Sequence, residues 1–285
     1  MNTTTSQQPK FKDLIERITA RVEELALATD AARMSEDMLR YLDSISRFHR
    51  YSLYNSWLIL MAFPNATQVA GFHQWNSYNR FVKKGEKGIP ILAPIWVSKE
   101  TQEKDEDRMT LRGFKICYVF DVSQTDGEPL PEPPDWKKPE KNSFLAEHLM
   151  AFAREKGITI TEKELEGEIQ GVSKGGCIEI DPSAGTSTII HELAHEIMLH
   201  HGSDLPICVK ELEAESTAFV VCRHFGLQST CSPNYVALHG ATSDMIMEHL
   251  ERIRVAAMEI IQYVEQSLAA FSSTQRQVAE VQEAL

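Results

Sequence analysis

The sequence predicts an α+β protein of two domains. Apolar residues at helical spacing and short apolar runs bounded by glycine and proline occur in separate blocks, which is typical of this fold class. The 285 residues are enough for two hydrophobic cores. Five of the twelve prolines fall between residues 123 and 141, where the composition changes abruptly. We therefore expect a domain over residues 1–125, a stiff proline-rich linker over 126–141 and a second domain over 142–285.

The first domain combines helices with strands. Residues 10–28 and 33–63 carry apolar side chains at helical spacing, and a Pro-Asn pair ends the second pattern. The apolar runs 89–97 and 115–122 predict strands, and two prolines in the first run favour a position at a sheet edge. The first domain is therefore expected to be α+β.

The second domain is predicted to be mainly helical with a small sheet. Its helical patterns cover residues 143–155, 187–200, 209–225 and 242–270. Short strand-like segments occur at 158–160 and 177–180.

The composition is that of a globular protein, with 42% hydrophobic and 25% charged residues. No apolar run approaches the roughly 18 residues of a membrane span, and the N-terminus lacks the apolar core of a signal peptide. The five cysteines are scattered without a CxxC pair, which argues against a disulfide framework or a thiolate zinc site. We expect a cytoplasmic monomer with no membrane contact.

An HExxH motif, His191-Glu192-Leu193-Ala194-His195, is the strongest chemical signal in the chain. Residues four apart share a helix face, so His191 and His195 can bind one metal ion. The apolar neighbours predict a buried helix, in which a His-Glu-His cluster without a metal would be costly to desolvate. We expect Zn²⁺, with another divalent ion such as Mn²⁺ as the alternative. Glu192 is then the general base of a metal-dependent hydrolase, most simply a peptidase.

The third ligand is sought among Glu211, Glu213, Glu215 and His201. His201 has the spacing of an HExxHxxGxxH motif, but Met198 replaces the glycine that lets the chain turn back to the metal. Glu213 points about 160° away from Glu211 on a helix, which leaves Glu211 and Glu215 open. Similarity to gluzincins, the zinc peptidases with an E-x-x-x-D/E/N segment, implies that Glu211 is the ligand. Glu215 then lies behind the metal and holds a histidine ligand.

The net charge of −12 is unevenly distributed. Residues 1–96 carry 12 Lys and Arg against 9 Asp and Glu, a net charge of +3, so the remainder carries −15. In the basic part, segments 47–57 and 71–88 interleave aromatic rings with arginine and lysine. Rings that stack on bases and cations that face phosphates are what single-stranded DNA requires.

The expected DNA-binding surface consists of cations and rings from these two segments: Arg50, Tyr51, Tyr54, Trp75, Arg80, Lys83, Lys84 and Lys87. Phe48, Trp57 and Phe72 are assigned to the hydrophobic core instead.

Four strings of the sequence closely resemble ArdC-type plasmid antirestriction proteins. FPNATQVAGFHQWNSYNRFVKKGEKGIPILAPIW and VFDVSQTDGEPLP are similar to their N-terminal domain. HELAHEIMLHHG and KELEAESTAFVVCRHFGL are similar to their zinc metallopeptidase domain and to regulator-cleaving ImmA/IrrE metallopeptidases. The resemblance covers about residues 10–265. It implies a single-stranded DNA-binding domain, a zincin-like peptidase domain of the gluzincin type, and a role on mobile elements in protecting incoming DNA from restriction.

Three functions follow from these observations. The first is a zinc peptidase that is held on single-stranded DNA and cleaves DNA-associated proteins or peptides, since tethering raises its effective concentration. The second is a protein that masks DNA and has a structural or vestigial metal site. The third is a peptidase that cleaves a gene regulator. Tyr235, His239 and His224 are candidate donors to the oxyanion of a peptidase reaction, and the sequence does not single one out.

Overall fold

In a computed structural model of the protein, the residues described are 10–26, 31–98, 109–130, 139–228 and 242–283. The chain forms two compact units. The first comprises residues 1–27 and 51–131, and the second comprises residues 28–50 and 132–285.

The described residues of the first unit form three α-helices and five strands. The helices are α1 (Phe11–Ala26), α3 (Leu53–Ala62) and the short α4 (Phe72–Ser77). The strands are β1 (Val69–Gly71), β2 (Arg80–Val82), β3 (Ile89–Ser98), β4 (Met109–Asp121) and β5 (Thr125–Gly127). They form an antiparallel sheet with the order β1-β4-β3 and a two-stranded antiparallel sheet of β2 and β5.

Two buried polar side chains connect the elements of the first unit. The side-chain amide of Asn55 on α3 pairs with the backbone N–H and C=O of Leu92 on β3, at 2.8 and 2.9 Å. Asp121, at the end of β4, accepts hydrogen bonds from the backbone N–H groups of Thr67, Gln68 and Ser123. Satisfied buried polar groups of this kind fix one arrangement of the elements around the core.

The second unit is mainly helical. Its helices are α2 (Ala31–Phe48), α5 (Pro139–Glu155), α6 (Thr186–Ile197), α7 (Ile207–His224) and α8 (Ser243–Glu283). Its strands β6 (Thr159–Glu162), β7 (Gly171–Ser173) and β8 (Cys177–Ile180) form a sheet with the order β6-β8-β7. β6 runs parallel to β8 and β7 antiparallel to it, so β7 is an edge strand.

The core of the second unit forms where α6, α7 and α8 pack together. Leu193 on α6, Val220 and Val221 on α7, and Ile260 and Val264 on α8 are fully buried. On α8, apolar side chains three or four residues apart form a stripe along the helix. This stripe lets one long helix pack against several neighbouring elements.

The predicted α+β class is confirmed, and β3 is an edge strand as its prolines indicate. The helical pattern over residues 33–63 is interrupted at 49–52 and forms α2 and α3 separately. α2 packs on α7, so residues 28–50 fall in the second unit and not, as predicted, with residues 1–125. Half of the predicted linker, residues 131–138, lies outside the described part of the chain. Across the described residues, no helix has the length and apolarity to cross a membrane.

Candidate functional site

The HExxH segment lies on α6, between an apolar face and an open cleft. Ile190, Leu193 and Ala194 are fully buried, which fixes the rotation of the helix. His191 and His195 therefore line a cleft of about 510 Å³ on the other side. Their Nε2 atoms lie 3.1 Å apart, as expected for side chains separated by one helical turn.

Glu211 on α7 meets the two histidines. Its Oε2 lies 3.4 Å from Nε2 of His191, and its Oε1 lies 3.6 Å from Nε2 of His195. One ligand-type atom from each of the three residues lies within 4.8 Å of the other two, so the group could hold a metal ion. Two imidazole nitrogens and one carboxylate form a donor set that suits Zn²⁺ and leaves a coordination position open. The neighbouring side chains of His191 and His195 hold the pKa of Glu211 well below its usual value.

Glu192 is placed beside this group in a dry position. Only 7% of the residue is exposed, and burial raises the pKa of its carboxyl although both histidines oppose the shift. Strand β7 passes close to it, because a Cβ at Gly171 would lie 2.8 Å from Cγ of Glu192. A carboxylate with a raised pKa next to a potential metal position suits a general base.

Glu215, one turn after Glu211 on α7, is half-buried. Burial raises the pKa of Glu215, and the charges of His191 and Glu211 also act on it. Glu215 therefore lies near His191, one of the two histidines of the motif, and its role in holding a histidine ligand stays a prediction.

Glu196 organises the loop that borders the cleft. Its carboxylate accepts hydrogen bonds from Ser173 Oγ (2.7 Å) and from the backbone N–H groups of Lys174, Gly175 and Gly176. Burial raises the pKa of Glu196, but these hydrogen bonds outweigh it and leave the pKa lowered. The turn between β7 and β8 is thereby attached to α6, next to the HExxH residues.

Helix α6 ends earlier than its sequence pattern predicts. It stops at Ile197, and Leu199 adopts a left-handed conformation with φ of 55° while its side chain remains 74% exposed. The chain therefore turns without the glycine expected at position 198. The turn brings His200 to Nδ1 of His195 and directs His201 into the cleft, where its Nε2 lies 2.9 Å from Ser173 Oγ.

Glu213 has a structural position that sequence reasoning missed. Helix phase directs it away from Glu211, as predicted, but this direction leads into the core, where Glu213 is 0% exposed. Its carboxylate accepts hydrogen bonds from His200, His249 and Arg252. Burial raises the pKa of Glu213, yet these hydrogen bonds keep it well below the usual value. The only sequence signal was a carboxylate at a position where an apolar residue would be expected.

Of the three candidate oxyanion donors named from the sequence, only His224 lies in the described part of the chain, and it does not line the cleft. Tyr235 and His239 lie outside the described part of the chain. His224 lies 2.9 Å from the carbonyl oxygen of Ser46 and 3.2 Å from a carboxylate oxygen of Glu265.

The basic turn of the first unit connects β2 to β3. Lys83, Lys84 and Lys87 are all exposed there, and Gly85 provides the positive φ of 93° that the turn requires. Nζ of Lys83 donates to the carbonyl oxygen of Ser123 at 2.9 Å, so this lysine is already engaged. The turn borders a cleft of about 520 Å³ in the first unit.

Three other predicted DNA-binding residues make structural contacts. Arg80 donates to the side chain and the carbonyl oxygen of Thr125, which ties β2 to β5. Tyr51 donates to the carbonyl oxygen of Val69. Arg50 belongs to the second unit and pairs with Glu265 at 2.7 Å.

The aromatic side chains differ from the prediction in which of them are exposed. Assigning Trp75 to the surface was wrong: it is 1% exposed, and its Nε1–H donates to the carbonyl oxygen of Phe120. Assigning Phe72 to the core was also wrong, since it is 48% exposed. Tyr54 is exposed as predicted, whereas Phe81, at 60% exposure on β2, was not predicted. The pattern of α4 was too short to give its phase.

The fold and the site together define an α+β protein with an HExxH helix, whose two histidines converge with a glutamate from the next helix. Residues 10–120 match the family model described as the N-terminal domain of anti-restriction factor ArdC. The resemblance of this part of the chain to the N-terminal domain of ArdC-type antirestriction proteins is thereby confirmed.

Two individual proteins, one of them in two solved structures, are similar to this chain. An uncharacterized protein of Bacillus anthracis is 27% identical in an alignment that covers 80% of this chain. The chain spans only 48% of the length of that relative. The metal-free crystal structure of antirestriction protein ArdC from plasmid R388 is 18% identical, covers 76% of this chain and 86% of that one, and has a TM-score of 0.42. The Mn(II)-bound structure of the same protein is 17% identical, covers 79% and 97%, and has a TM-score of 0.44.

Proposed function

We propose that this ArdC-type protein is a metal-dependent peptidase that acts on DNA-associated proteins and that its first unit binds single-stranded DNA. We further propose a cytoplasmic location. The observation that carries the peptidase proposal is the convergence of His191, His195 and Glu211 beside a buried Glu192 in an open cleft.

His191, His195 and Glu211 would hold the metal, Zn²⁺ or a divalent ion such as Mn²⁺. When bound, the ion would supply Lewis-acid activation of a water molecule and of the peptide carbonyl. The fit rests on the donor set, since two neutral imidazoles and one carboxylate are three ligands of a catalytic zinc site.

Glu192 is the proton-transfer residue of the proposal. It takes a proton from water and passes it to the leaving amine. Its burial supports this role, because a carboxylate whose pKa is raised is a stronger base than a fully solvated one. A substrate would enter by the cleft between β7 and α6, which is lined by Val172, Ser173 and His201.

Single-stranded DNA binding is proposed for the basic turn and the exposed rings of the first unit. Lys84 and Lys87 supply positive charge, and Phe81 on the adjoining strand supplies a flat apolar face. The family match of residues 10–120 to an anti-restriction domain supports a function at DNA.

The peptidase proposal is tested with Glu192→Gln, which keeps the side-chain volume but removes the base. We expect the parent and the variant to bind Zn²⁺ equally well, and to bind a labelled single-stranded oligonucleotide equally well. Cleavage of a quenched fluorogenic peptide library should fall about 10²- to 10⁴-fold in the variant. Unchanged cleavage would contradict the assigned mechanism.

A second function, masking of DNA by the first unit alone, is favoured by the exposure of the basic turn. It makes a different prediction for the same variant. In a restriction-protection assay, Glu192→Gln would then protect single-stranded DNA as well as the parent does, whatever the result with peptides.

A further inference from the structure

A continuous chain of polar contacts leads from His195 into the core of the second unit. Nδ1 of His195 lies 2.8 Å from Nδ1 of His200. Nε2 of His200 lies 2.8 Å from Oε2 of Glu213. His200 is 2% exposed and Glu213 is 0% exposed, so water does not compete for these contacts.

The far end of the chain is fixed by α8. Nε of Arg252 donates to Oε1 of Glu213 at 2.7 Å, and a second guanidinium nitrogen donates to Oε2 at 3.0 Å. Nδ1 of His249 lies 2.7 Å from Oε1. With His200 included, four nitrogens surround the two carboxylate oxygens. A paired Arg fork requires an acceptor at both oxygens, so Glu213 is a pure acceptor in this arrangement.

The positions of the protons follow from this arrangement. Because Glu213 only accepts, the Nε2 atom of His200 that faces it must carry a hydrogen. A neutral His200 then has a lone pair on Nδ1 and accepts from His195. The hydrogen of His195 is therefore on Nδ1, and its Nε2 lone pair faces His191 and Glu211. A metal-binding histidine needs this tautomer, since the ligating nitrogen has to be unprotonated.

We propose that His200, held by Glu213, is a positioning residue that keeps His195 in the Nδ1–H tautomer and directs its Nε2 to the metal position. This inference rests on the proposed metal-binding function. Outer partners of metal-bound histidines usually are carboxylates or backbone carbonyls, and their loss typically lowers metal affinity 10- to 100-fold. Here a second imidazole stands between the ligand and the carboxylate, so the orientation of His195 depends on α8 as well as on α6 and α7.

The test uses His200→Phe, which keeps a ring of similar size but removes both hydrogen bonds. We expect the affinity for Zn²⁺, measured by competition with a chromophoric chelator, to fall about 10- to 100-fold. The d–d absorption of Co²⁺ bound to the variant should differ from that of the parent. The matched control is His148→Phe, at a half-buried histidine of the second unit that is hydrogen-bonded to Ser267 on α8. Its Zn²⁺ affinity should equal that of the parent.

The tautomer is measured directly on the metal-free parent. In long-range ¹H–¹⁵N spectra of ¹⁵N-histidine protein, His195 should show the Nδ1–H form and His200 the Nε2–H form. An Nε2–H form of His195, or parental Zn²⁺ affinity in a folded His200→Phe variant, would overturn the inference. If the parent itself binds no Zn²⁺, Mn²⁺ or Co²⁺, the proposed function fails as well.

A second variant covers the case in which His200→Phe does not fold. His200→Gln keeps one acceptor and one donor in a flexible side chain. His200→Leu has neither group. The Zn²⁺ affinity of the glutamine variant should therefore be closer to that of the parent than the affinity of the leucine variant is. Equal losses in the glutamine and leucine variants would show that the hydrogen bonds do not position His195.

Discussion

The two candidate sites of this protein are built in opposite ways. In the second unit, Glu192, Glu213 and His200 are buried, and each is oriented by groups from a different element. In the first unit, Lys84, Lys87 and Phe81 project from a turn and a short strand into solvent. The difference matches what each proposed function requires. Proton transfer needs fixed distances, whereas phosphate neutralisation and base stacking tolerate movement.

The largest expected effect is at Glu211, the third proposed metal ligand. Glu211→Gln removes the carboxylate that reaches both histidines, so we expect the affinity for Zn²⁺ to fall more than about 100-fold, beyond the loss typical of an outer partner. Chelator competition on metal-free protein measures this change.

Glu215→Gln is the matched control, since it lies one turn further on the same helix. As an outer partner of a histidine ligand, Glu215 should raise the Zn²⁺ affinity only about 10- to 100-fold, so Glu215→Gln should lower it by that factor. A larger loss for Glu215→Gln than for Glu211→Gln would reverse the assignment of the third ligand.

A buried histidine of the second unit gives a second prediction. This is His49, which follows α2. Burial, with help from His224, lowers the pKa of His49 to about 4 from 6.5. The unfolded chain then binds a proton at a higher pH than the folded one. The contribution of His49 to the free energy of unfolding is complete above about pH 6.5 and is lost as the pH falls toward 4.

Between pH 7 and 4.5 we expect the free energy of unfolding to fall by about 2–3 kcal/mol through His49. Chemical denaturation of the parent and of His49→Phe at several pH values measures it, and the variant should lack this part of the slope. Glu265 and Arg50 face the same cluster. A hydrogen bond from His224 lowers the pKa of Glu265 to about 2, so its contribution is lost only below about pH 4.5. Parallel curves for parent and variant would mean that His49 is not buried against α7 and α8.

The sequence predicts those parts of the metal centre that depend on regular spacing. Four-residue spacing on a helix correctly brings together His191 and His195, and helix phase correctly separates Glu211 from Glu213. What it cannot predict is where α6 ends, because Leu199 adopts a left-handed conformation that is unfavourable for leucine and depends on the surrounding fold. His200 was missed for that reason.

The surface of the first unit was harder to predict for a related reason. Trp75 and Phe72 lie on a helix of six residues, too short for its apolar face to be read from the pattern. Only the tertiary fold determines that Trp75 bonds to Phe120 while Phe72 faces solvent. The lysines, in contrast, lie in a glycine-containing turn whose exposure is predictable from composition alone.

The exposed ring of Phe81 gives the third prediction. Base stacking contributes about 1–3 kcal/mol per base, so Phe81→Ala should weaken binding of a labelled oligothymidylate about 5- to 150-fold. Fluorescence anisotropy measures the affinity. Phe271→Ala, which removes a comparably exposed ring from α8, is the control and should bind as the parent does. Equal affinities for Phe81→Ala and the control would exclude Phe81 from the DNA surface.

The smallest effect is expected in the salt dependence of DNA binding. Each phosphate contact on a single strand contributes about 0.7 to the slope of log K against log salt, so the double variant Lys84→Gln/Lys87→Gln should reduce the slope by about 1.4. The control is Lys156→Gln/Lys163→Gln, which removes two cations that pair with Glu259 and Glu179 in the second unit.

The salt slope also separates the two contributions of the first unit. Stacking by Phe81 releases no counterions, so Phe81→Ala should lower the affinity at every salt concentration without changing the slope. The lysine variant should change the slope and lose little affinity at high salt. If the lysine variant also kept the slope of the parent, the phosphates would have to contact other cations of the first unit. The exposed turn would then lose its proposed function, and none of its residues would need a fixed position.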